Sequence, residues 1–269
     1  MSARRDRSSA SKSLCAKSSR PFPSRTLVLC VGNTSLLGGV FAGTRQMTAF
    51  RLPLTRLLDV ARRVRGQIDR AAVCSVVPAL TPDVLRFVRR SWNLDAQLLT
   101  FESPHGLTLG YRDPSELGTD RIAAAVGARS AFPKRDVIVV DCGTATTVTA
   151  LRRDGALLGG AILPGFSLWP EMLALRTAQL PRVAVRRPHT ALARSTRDAI
   201  ASGVFFGHVG AIRETVARVR AEAFGPGRCL VVGTGGHAHL FAREKLFTAV
   251  EPTLILQGLQ AFAARVFSS

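Results

Sequence analysis

The residues of this chain best suited to chemistry stand together at 141–147. Asp141 follows an apolar run at 137–140, and Cys142, Gly143 and three threonines come directly after it. The apolar run is typical of a buried strand, and the β-branched residues after the glycine favour a returning strand. In such a hairpin the carboxylate can hold a cation or water, while backbone N–H groups and threonine hydroxyls can bind phosphate. A plain hairpin with a glycine turn is the alternative that this segment alone leaves open.

Two more glycine turns follow strand-like runs. Residues 26–31 lead into Gly32-Asn33-Thr34, after which an apolar pattern resumes at 35–41. Residues 229–232 lead into the turn at 233–236, and a helix-like stretch follows. Two phosphate hairpins and a late glycine turn are the layout of the actin, hexokinase and Hsp70 kind of nucleotide fold, in which the nucleotide lies between two related domains.

The chain resembles the type III pantothenate kinases over about residues 27–259. Nine segments typical of that family occur here in the family's order, so chance agreement is a poor explanation. They lie at 31–34, 75–78, 110–121, 141–147, 159–165, 173–181, 196–203, 234–236 and 254–259. The resemblance implies an α/β fold of two related ribonuclease-H-like (actin/hexokinase-like) domains. It also implies a homodimer that phosphorylates pantothenate to 4'-phosphopantothenate with ATP, the first step of coenzyme A biosynthesis.

The phosphorylation of a primary hydroxyl needs a general base, charge neutralisation at the phosphates and precise alignment. Asp120 is the predicted base, because the resemblance puts the base at this position and because the first turn of a helix favours a carboxylate anion. Arg121 can hold the pantothenate carboxylate as a two-pronged donor. The predicted substrate-binding set is Tyr111, Gly118, Thr119, Asp120, Arg121 and Thr196. The resemblance implies that Thr196 contacts pantothenate, across a dimer interface. Thr196 could also be a helix N-cap, and both roles can hold together.

The resemblance assigns the ATP phosphates to the two hairpins. Gly32, Asn33 and Thr34 form one of them, and Thr144 lies in the other. Asp141 is the predicted ligand of a monovalent cation, potassium or ammonium, which the family uses instead of a pocket lysine. Magnesium is expected to arrive with ATP, held mainly by phosphate and water.

One departure from the family concerns Cys30. The family's first motif has Asp at this position, and a neutral thiol cannot anchor hydrated magnesium as a carboxylate does. The alternative function is therefore a catalytically weak kinase-fold regulator, of the kind described for relatives of the Bvg accessory factor. An acetate- or sugar-kinase-like enzyme is a third possibility, against which the segment 118–121 argues.

Composition limits the other classes. The formal net charge is +19, and only four of the 37 basic residues are lysines, a bias typical of GC-rich coding. A basic surface can attract nucleic acid or anionic substrates, but no basic-aromatic motif or zinc finger favours specific nucleic-acid binding. The five scattered cysteines indicate reduced thiols in a cytoplasmic protein. No apolar run reaches the length of about 18 residues that a membrane span needs.

The predicted organisation is a disordered basic tail at 1–25, a first actin-like domain at 26–118 and a second at 119–269. Each half opens with a hairpin, which indicates internal duplication. The predicted strands are 26–31, 35–42, 46–52, 71–76, 98–101, 136–141, 145–152, 156–163 and 228–232. The predicted helices are 54–67, 82–90, 119–130, 167–177, 196–224, 237–246 and 253–266.

Overall fold

A computed structural model describes residues 23–268 of the chain. The tail predicted at 1–25 therefore lies almost wholly outside the described residues. The strands are β1 (Arg25–Val31), β2 (Ser35–Ala42), β3 (Arg45–Pro53), β4 (Arg70–Ser75), β5 (Gln97–Leu98), β6 (Thr108–Leu109), β7 (Val137–Cys142), β8 (Ala145–Leu151), β9 (Ala156–Pro164), β10 (Leu230–Thr234) and β11 (Ala249–Val250). The helices are α1 (Asp59–Arg63), α2 (Thr81–Trp92), α3 (Thr119–Ala131), α4 (Leu168–Arg176), α5 (Thr196–Phe224) and α6 (Leu254–Val266).

The strands form two sheets with the same internal plan. The first has the order β3-β2-β1-β4-β5, and the second has β11-β10-β7-β8-β9-β6. In each sheet a three-stranded antiparallel meander is extended by a strand parallel to its first member, β4 beside β1 and β10 beside β7. This repeated plan agrees with the duplication predicted from the two hairpins. The short strand β6 precedes residue 118 in the chain but pairs with β9 of the second sheet.

Two helices lie between the sheets. α3 and α6 share one hydrophobic core with apolar residues of both sheets, while α1 and α2 cover the far side of the first sheet and α4 and α5 that of the second. α3 and α6 approach closely because glycines meet there. A Cβ on Gly258 would lie 1.8 Å from Ala123 O, and one on Gly127 would lie 2.2 Å from Leu254 O. This central pair therefore packs against both sheets, and α3 begins beside the end of β4.

Most predicted elements are confirmed within a residue or two, and α5 matches its predicted span. The predicted helix 54–67 is wrong: a 3-10 turn covers Leu54–Arg56, α1 has five residues, and the chain is extended at Val64. Leu58, an apolar residue within that predicted helix, is 76% exposed. The predicted helix 237–246 is a 3-10 helix at Ala238–Glu244. None of the helices in residues 23–268 has the length and apolar character needed to cross a membrane.

Candidate active site

The tips of the two predicted phosphate hairpins face each other across a cleft between the sheets. Thr34, in the β1–β2 turn, and Thr144, in the β7–β8 turn, are joined by a hydrogen bond of 2.9 Å between their hydroxyl oxygens. These residues are 110 positions apart in the chain, so only the tertiary fold brings them together. The hairpin tips are thus placed where one polyphosphate could contact both.

The cleft contains a cavity of about 120 Å³. Its described lining residues are Cys30, Gly32, Asn33, Thr34, Ser35, Leu37, Arg51, Val76, Asp120, Asp141, Gly143, Thr144, Ala145, Thr147, Thr234, Gly235, Gly236, Pro252 and Ile255. The set includes every residue predicted to bind ATP, the predicted base and the predicted cation ligand. It also includes Arg51, which the sequence analysis did not single out.

Asp120 lies in the first turn of α3 and lines the cavity. Its Oδ1 accepts a hydrogen bond of 2.8 Å from the backbone N–H of Arg121. Burial raises the pKa of Asp120, while that hydrogen bond and the charge of Arg121 lower it. A carboxyl with a raised pKa is a stronger base once ionised, as a general base in a neutral cell requires.

The residues before Asp120 hold it in place. Thr119 donates from Oγ1 to the carbonyl of Ser75 at 2.9 Å and accepts from the Ser75 N–H at 3.2 Å, which ties the start of α3 to the end of β4. Gly118 is the residue before the helix, and a Cβ there would lie 2.6 Å from Asp120 Oδ1. Both residues were predicted to bind substrate, and these contacts place them beside Asp120.

Arg121, in the first turn of α3, contacts Tyr111. The Arg121 guanidinium donates through Nη1 to the Tyr111 hydroxyl, donates through Nε to Thr149 Oγ1 at 3.1 Å, and stands 5.4 Å from the Tyr111 ring centre. Arg121 is only 7% exposed, and its buried Nη2 has no hydrogen-bond partner among the described residues. An unpaired buried guanidinium nitrogen is costly, so this one suits an anionic ligand.

Asp141 is the next-to-last residue of β7 and lines the cavity beside the late glycine turn. A Cβ on Gly235, whose φ is +85°, would lie 2.2 Å from Asp141 Oδ1, so the turn can approach only as glycine. Burial and the charge of Asp120 raise the pKa of Asp141 to about 7, and Arg51 offsets part of this increase. Within residues 23–268 the Asp141 carboxylate accepts no hydrogen bond, and no cluster of three or more His, Cys, Asp or Glu side chains could hold a metal ion.

Cys30 lines the same cavity at the end of β1. It lies opposite Cys74 on the parallel strand β4, and it is 5% exposed. The hydrogen bond to Cys30 and burial raise the pKa of the Cys74 thiol. Asp120 and Asp141 are therefore the two carboxylates among the described residues of the cavity wall.

Thr196 does not lie in the cleft of its own chain. It begins α5 and lines an apolar groove of about 720 Å³ between α4 and α5, with Trp169, Met172 and Leu173 among its neighbours. The helix is capped by Ser195, whose Oγ accepts from the Asp198 N–H at 3.2 Å, so the N-cap role predicted for Thr196 is wrong. The predicted site residues other than Thr196 thus lie in the cleft or beside it. Thr196 lies in a separate groove.

The paired sheets and the hairpin cleft define a two-domain kinase fold of the actin and hexokinase type. Two solved structures share this fold. One is a putative Baf family transcriptional activator from Campylobacter jejuni, with a TM-score of 0.61 and 21% identity over 90% of this chain and 100% of that one. The other is a putative 2-dehydro-3-deoxygalactonokinase from Sinorhizobium meliloti, with a TM-score of 0.56 and 13% identity over 91% and 100%.

Sequence comparison gives the family within that class. Residues 26–218 match the family model of type III pantothenate kinase. A type III pantothenate kinase of Legionella pneumophila is 37% identical over 251 residues, 88% of this chain and 98% of the relative. Type III pantothenate kinase 1 of Francisella tularensis is 35% identical over 249 residues, 87% and 97%. The chain belongs to the type III pantothenate kinase family.

Proposed function

We propose that this chain transfers the γ-phosphoryl group of ATP to the primary hydroxyl of pantothenate, in the cleft between its two sheets. Family membership supports the reaction, and one observation supports the place. Asp120 lines the same cavity as the facing tips of both phosphate hairpins. A base, an acceptor hydroxyl and a transferable phosphoryl group could therefore meet in line there.

Asp120 is the proposed general base. The carboxylate accepts the proton of the pantothenate hydroxyl as that oxygen attacks phosphorus. Its raised pKa makes it a better proton acceptor, and the hydrogen bond from the Arg121 N–H keeps enough of it ionised. Thr119 and Gly118 hold the carboxylate at the cavity through the tie to β4 and the close approach described above.

The hairpins must separate to admit ATP. The cavity of about 120 Å³ is smaller than the roughly 300–1,000 Å³ of ordinary ligand pockets. Opening would break the hydrogen bond between Thr34 and Thr144 and free both hydroxyls for phosphate oxygens. Gly32 and Asn33 would bring backbone and amide donors to the same phosphates. Closure of the cleft around the substrates would exclude water from the reaction.

Asp141 is the proposed ligand of potassium or ammonium. A half-buried carboxylate that accepts no hydrogen bond and has a pKa of about 7 gains much from a bound cation. The backbone of the adjacent Gly235 turn would supply further oxygens. Magnesium would arrive with ATP and neutralise phosphate charge.

Arg121 and Tyr111 are proposed to hold the far end of pantothenate. The unpaired Nη2 of Arg121 would donate to the substrate carboxylate, and the hydroxyl of Tyr111 keeps the guanidinium in place. Thr149 fixes the same guanidinium from β8. This grip would orient the substrate hydroxyl toward Asp120.

A homodimer is the proposed assembly. Thr196 stands in an apolar groove with Met172 46% exposed, and Leu175 nearby is 73% exposed. A second copy seated there would bury apolar surface, and it would bring Thr196 toward the partner's substrate. Sedimentation of the wild type should give twice the chain mass, whereas a monomer would contradict this assembly.

The test of the reaction is turnover of pantothenate with ATP, magnesium and potassium. Asp120→Asn should lose at least about a hundredfold in kcat, since the amide has nearly the same shape but cannot accept the proton. Asp83→Asn is the matched control, because Asp83 is also an acid in the first turn of a helix but is exposed on α2. Asp120→Asn with a tenth or more of wild-type turnover would show that Asp120 is not the base.

The regulator alternative rests on Cys30 alone. A thiol in place of a metal-anchoring carboxylate would leave a folded cleft with weak activity. A wild-type chain that binds ATP but never phosphorylates pantothenate, with all ions supplied, would favour that alternative.

A further inference from the structure

Arg51 reaches the cleft from an element that carries no phosphate motif. It lies on β3, opposite Leu37 of β2, and its side chain returns toward the first hairpin. Nη1 donates to Ser35 Oγ at 2.8 Å, directly after the hairpin tip. Nη2 lies 3.8 Å from the point where a Cβ on Gly236 would stand. The guanidinium is thus between the first hairpin and the late glycine turn.

Arg51 differs in charge from the other residues that line the cavity. Of the described residues that line it, Arg51 is the one Lys, Arg or His. Within residues 23–268 it forms no ion pair with a carboxylate, although nine such pairs involve other arginines. A triphosphate carries several negative charges, and the position of the family's first carboxylate is held here by Cys30. Among its described residues, the cavity wall therefore has one cation to offer a polyphosphate.

Arg51 could instead serve only to neutralise Asp141. Its charge does lower the pKa of that carboxyl, but burial and Asp120 outweigh it and leave the value at about 7. A partner committed to Asp141 would lie within ion-pair distance and would keep its pKa low. The hydrogen bond of Arg51 goes to Ser35 of the phosphate hairpin instead. Most of its N–H donors are left for a ligand.

We propose that Arg51 is a phosphate-binding residue, whose guanidinium donates to the terminal phosphates of ATP and offsets their charge during transfer. A planar, two-pronged donor fits phosphate oxygens well. Ser35 acts as a positioning residue that holds the guanidinium at the hairpin. The inference rests on the proposed function for its link to transfer, but nucleotide binding tests it separately.

The experiment measures affinity for ATP and for AMP by calorimetry, with kcat and both KM values at low and high potassium. The proteins are wild type, Arg51→Gln, Arg51→Lys and Arg45→Gln. Arg45 is the matched control because it is an exposed arginine at the other end of β3 and has no ion pair in the described structure. Arg51→Gln should bind ATP about 10- to 100-fold more weakly. Its affinity for AMP and its KM for pantothenate should change little. Arg51→Lys should fall between Arg51→Gln and wild type.

Three results would overturn the proposal. One is an Arg51→Gln chain that binds ATP like Arg45→Gln. Another is an equal loss of affinity for AMP and for ATP, which would indicate a structural role. The third is a change confined to potassium dependence, which would make Arg51 the partner of Asp141. If Arg51→Gln does not fold, Arg51→Lys decides, because the proposal requires a selective loss for ATP over AMP. An inactive wild type with these binding differences would refute the pantothenate reaction and leave the phosphate role of Arg51 supported.

Discussion

Asp141 should make the protein less stable as pH rises, unless a monovalent cation is bound. Its pKa of about 7 in the folded chain exceeds the ordinary value of 3.8, so the folded state binds the proton more tightly than the unfolded state. Stability then falls with rising pH over the window between these two values. The loss is complete above about pH 7 and nearly absent at about pH 4.

The size of the effect follows from the shift. About 3 pKa units at roughly 1.36 kcal/mol each give about 4 kcal/mol of unfolding free energy at pH 8. Asp141→Asn removes the ionisation and keeps the shape. The difference in unfolding free energy, variant minus wild type, should therefore grow by about 3–4 kcal/mol between pH 4 and pH 8. For a chain of this size, the melting temperature of Asp141→Asn at pH 8 should then be on the order of 10 °C above that of the wild type.

The assay is urea unfolding of both proteins at pH 4, 6 and 8, in tetramethylammonium chloride and in potassium chloride at equal ionic strength. Potassium should stabilise the wild type at pH 8, because a ligand that binds only the folded state adds to its stability. It should leave Asp141→Asn unchanged, and this variant should show no potassium-dependent turnover. Asp83→Asn, an exposed acid on α2, controls for the loss of one charge.

Two results would refute this reasoning. A variant-minus-wild-type difference that is constant from pH 4 to pH 8 would mean that Asp141 ionises normally in the folded chain. Equal stabilisation of both proteins by potassium, or equal turnover in sodium and potassium, would remove the cation from Asp141. The residue would then be a structural acid at the end of β7.

Three further substitutions test neighbouring parts of the site. Cys30→Asp should raise turnover at least about tenfold at saturating magnesium. If the variant folds without a gain in turnover, and the wild type already has the rate of an ordinary kinase, the thiol does not weaken the enzyme. The melting temperature of the variant should rise with magnesium, since a third carboxylate in this cavity is otherwise unpaired. Arg121→Gln should raise the KM for pantothenate about 10- to 100-fold and leave the KM for ATP unchanged; equal increases in both would contradict the carboxylate grip. Gly235→Ala should abolish potassium activation, because its Cβ would lie 2.2 Å from Asp141 Oδ1, and a variant still activated by potassium would separate the turn from the cation site.

The sequence by itself determined the local structure of this protein, such as its hairpins, glycine turns and helix spans. The strand-glycine-threonine pattern at 137–147 predicted the β7–β8 hairpin, and the span of α5 was predicted to the residue. Such signals are readable because strand alternation, turn glycines and helix caps depend on neighbours a few residues away. Asp141 could be singled out for the same reason, since it follows an apolar run and precedes Gly143 and three threonines. Asp120 was singled out mainly by the resemblance of the segment 118–121 to the family.

Only the tertiary structure decided which of these local elements contact one another. Arg51 sits on an exposed strand with no local signal, and the return of its side chain to Ser35 depends on the pairing of β2 with β3. The apolar spacing at 54–67 predicted a helix, yet the chain extends at Val64 and turns at Gly66 on its way to β4. Thr196 lies in the groove between α4 and α5 and outside its own cleft. The raised pKa of Asp141 likewise comes from burial between elements that are distant in the chain, because desolvation depends on the whole fold and not on adjacent residues.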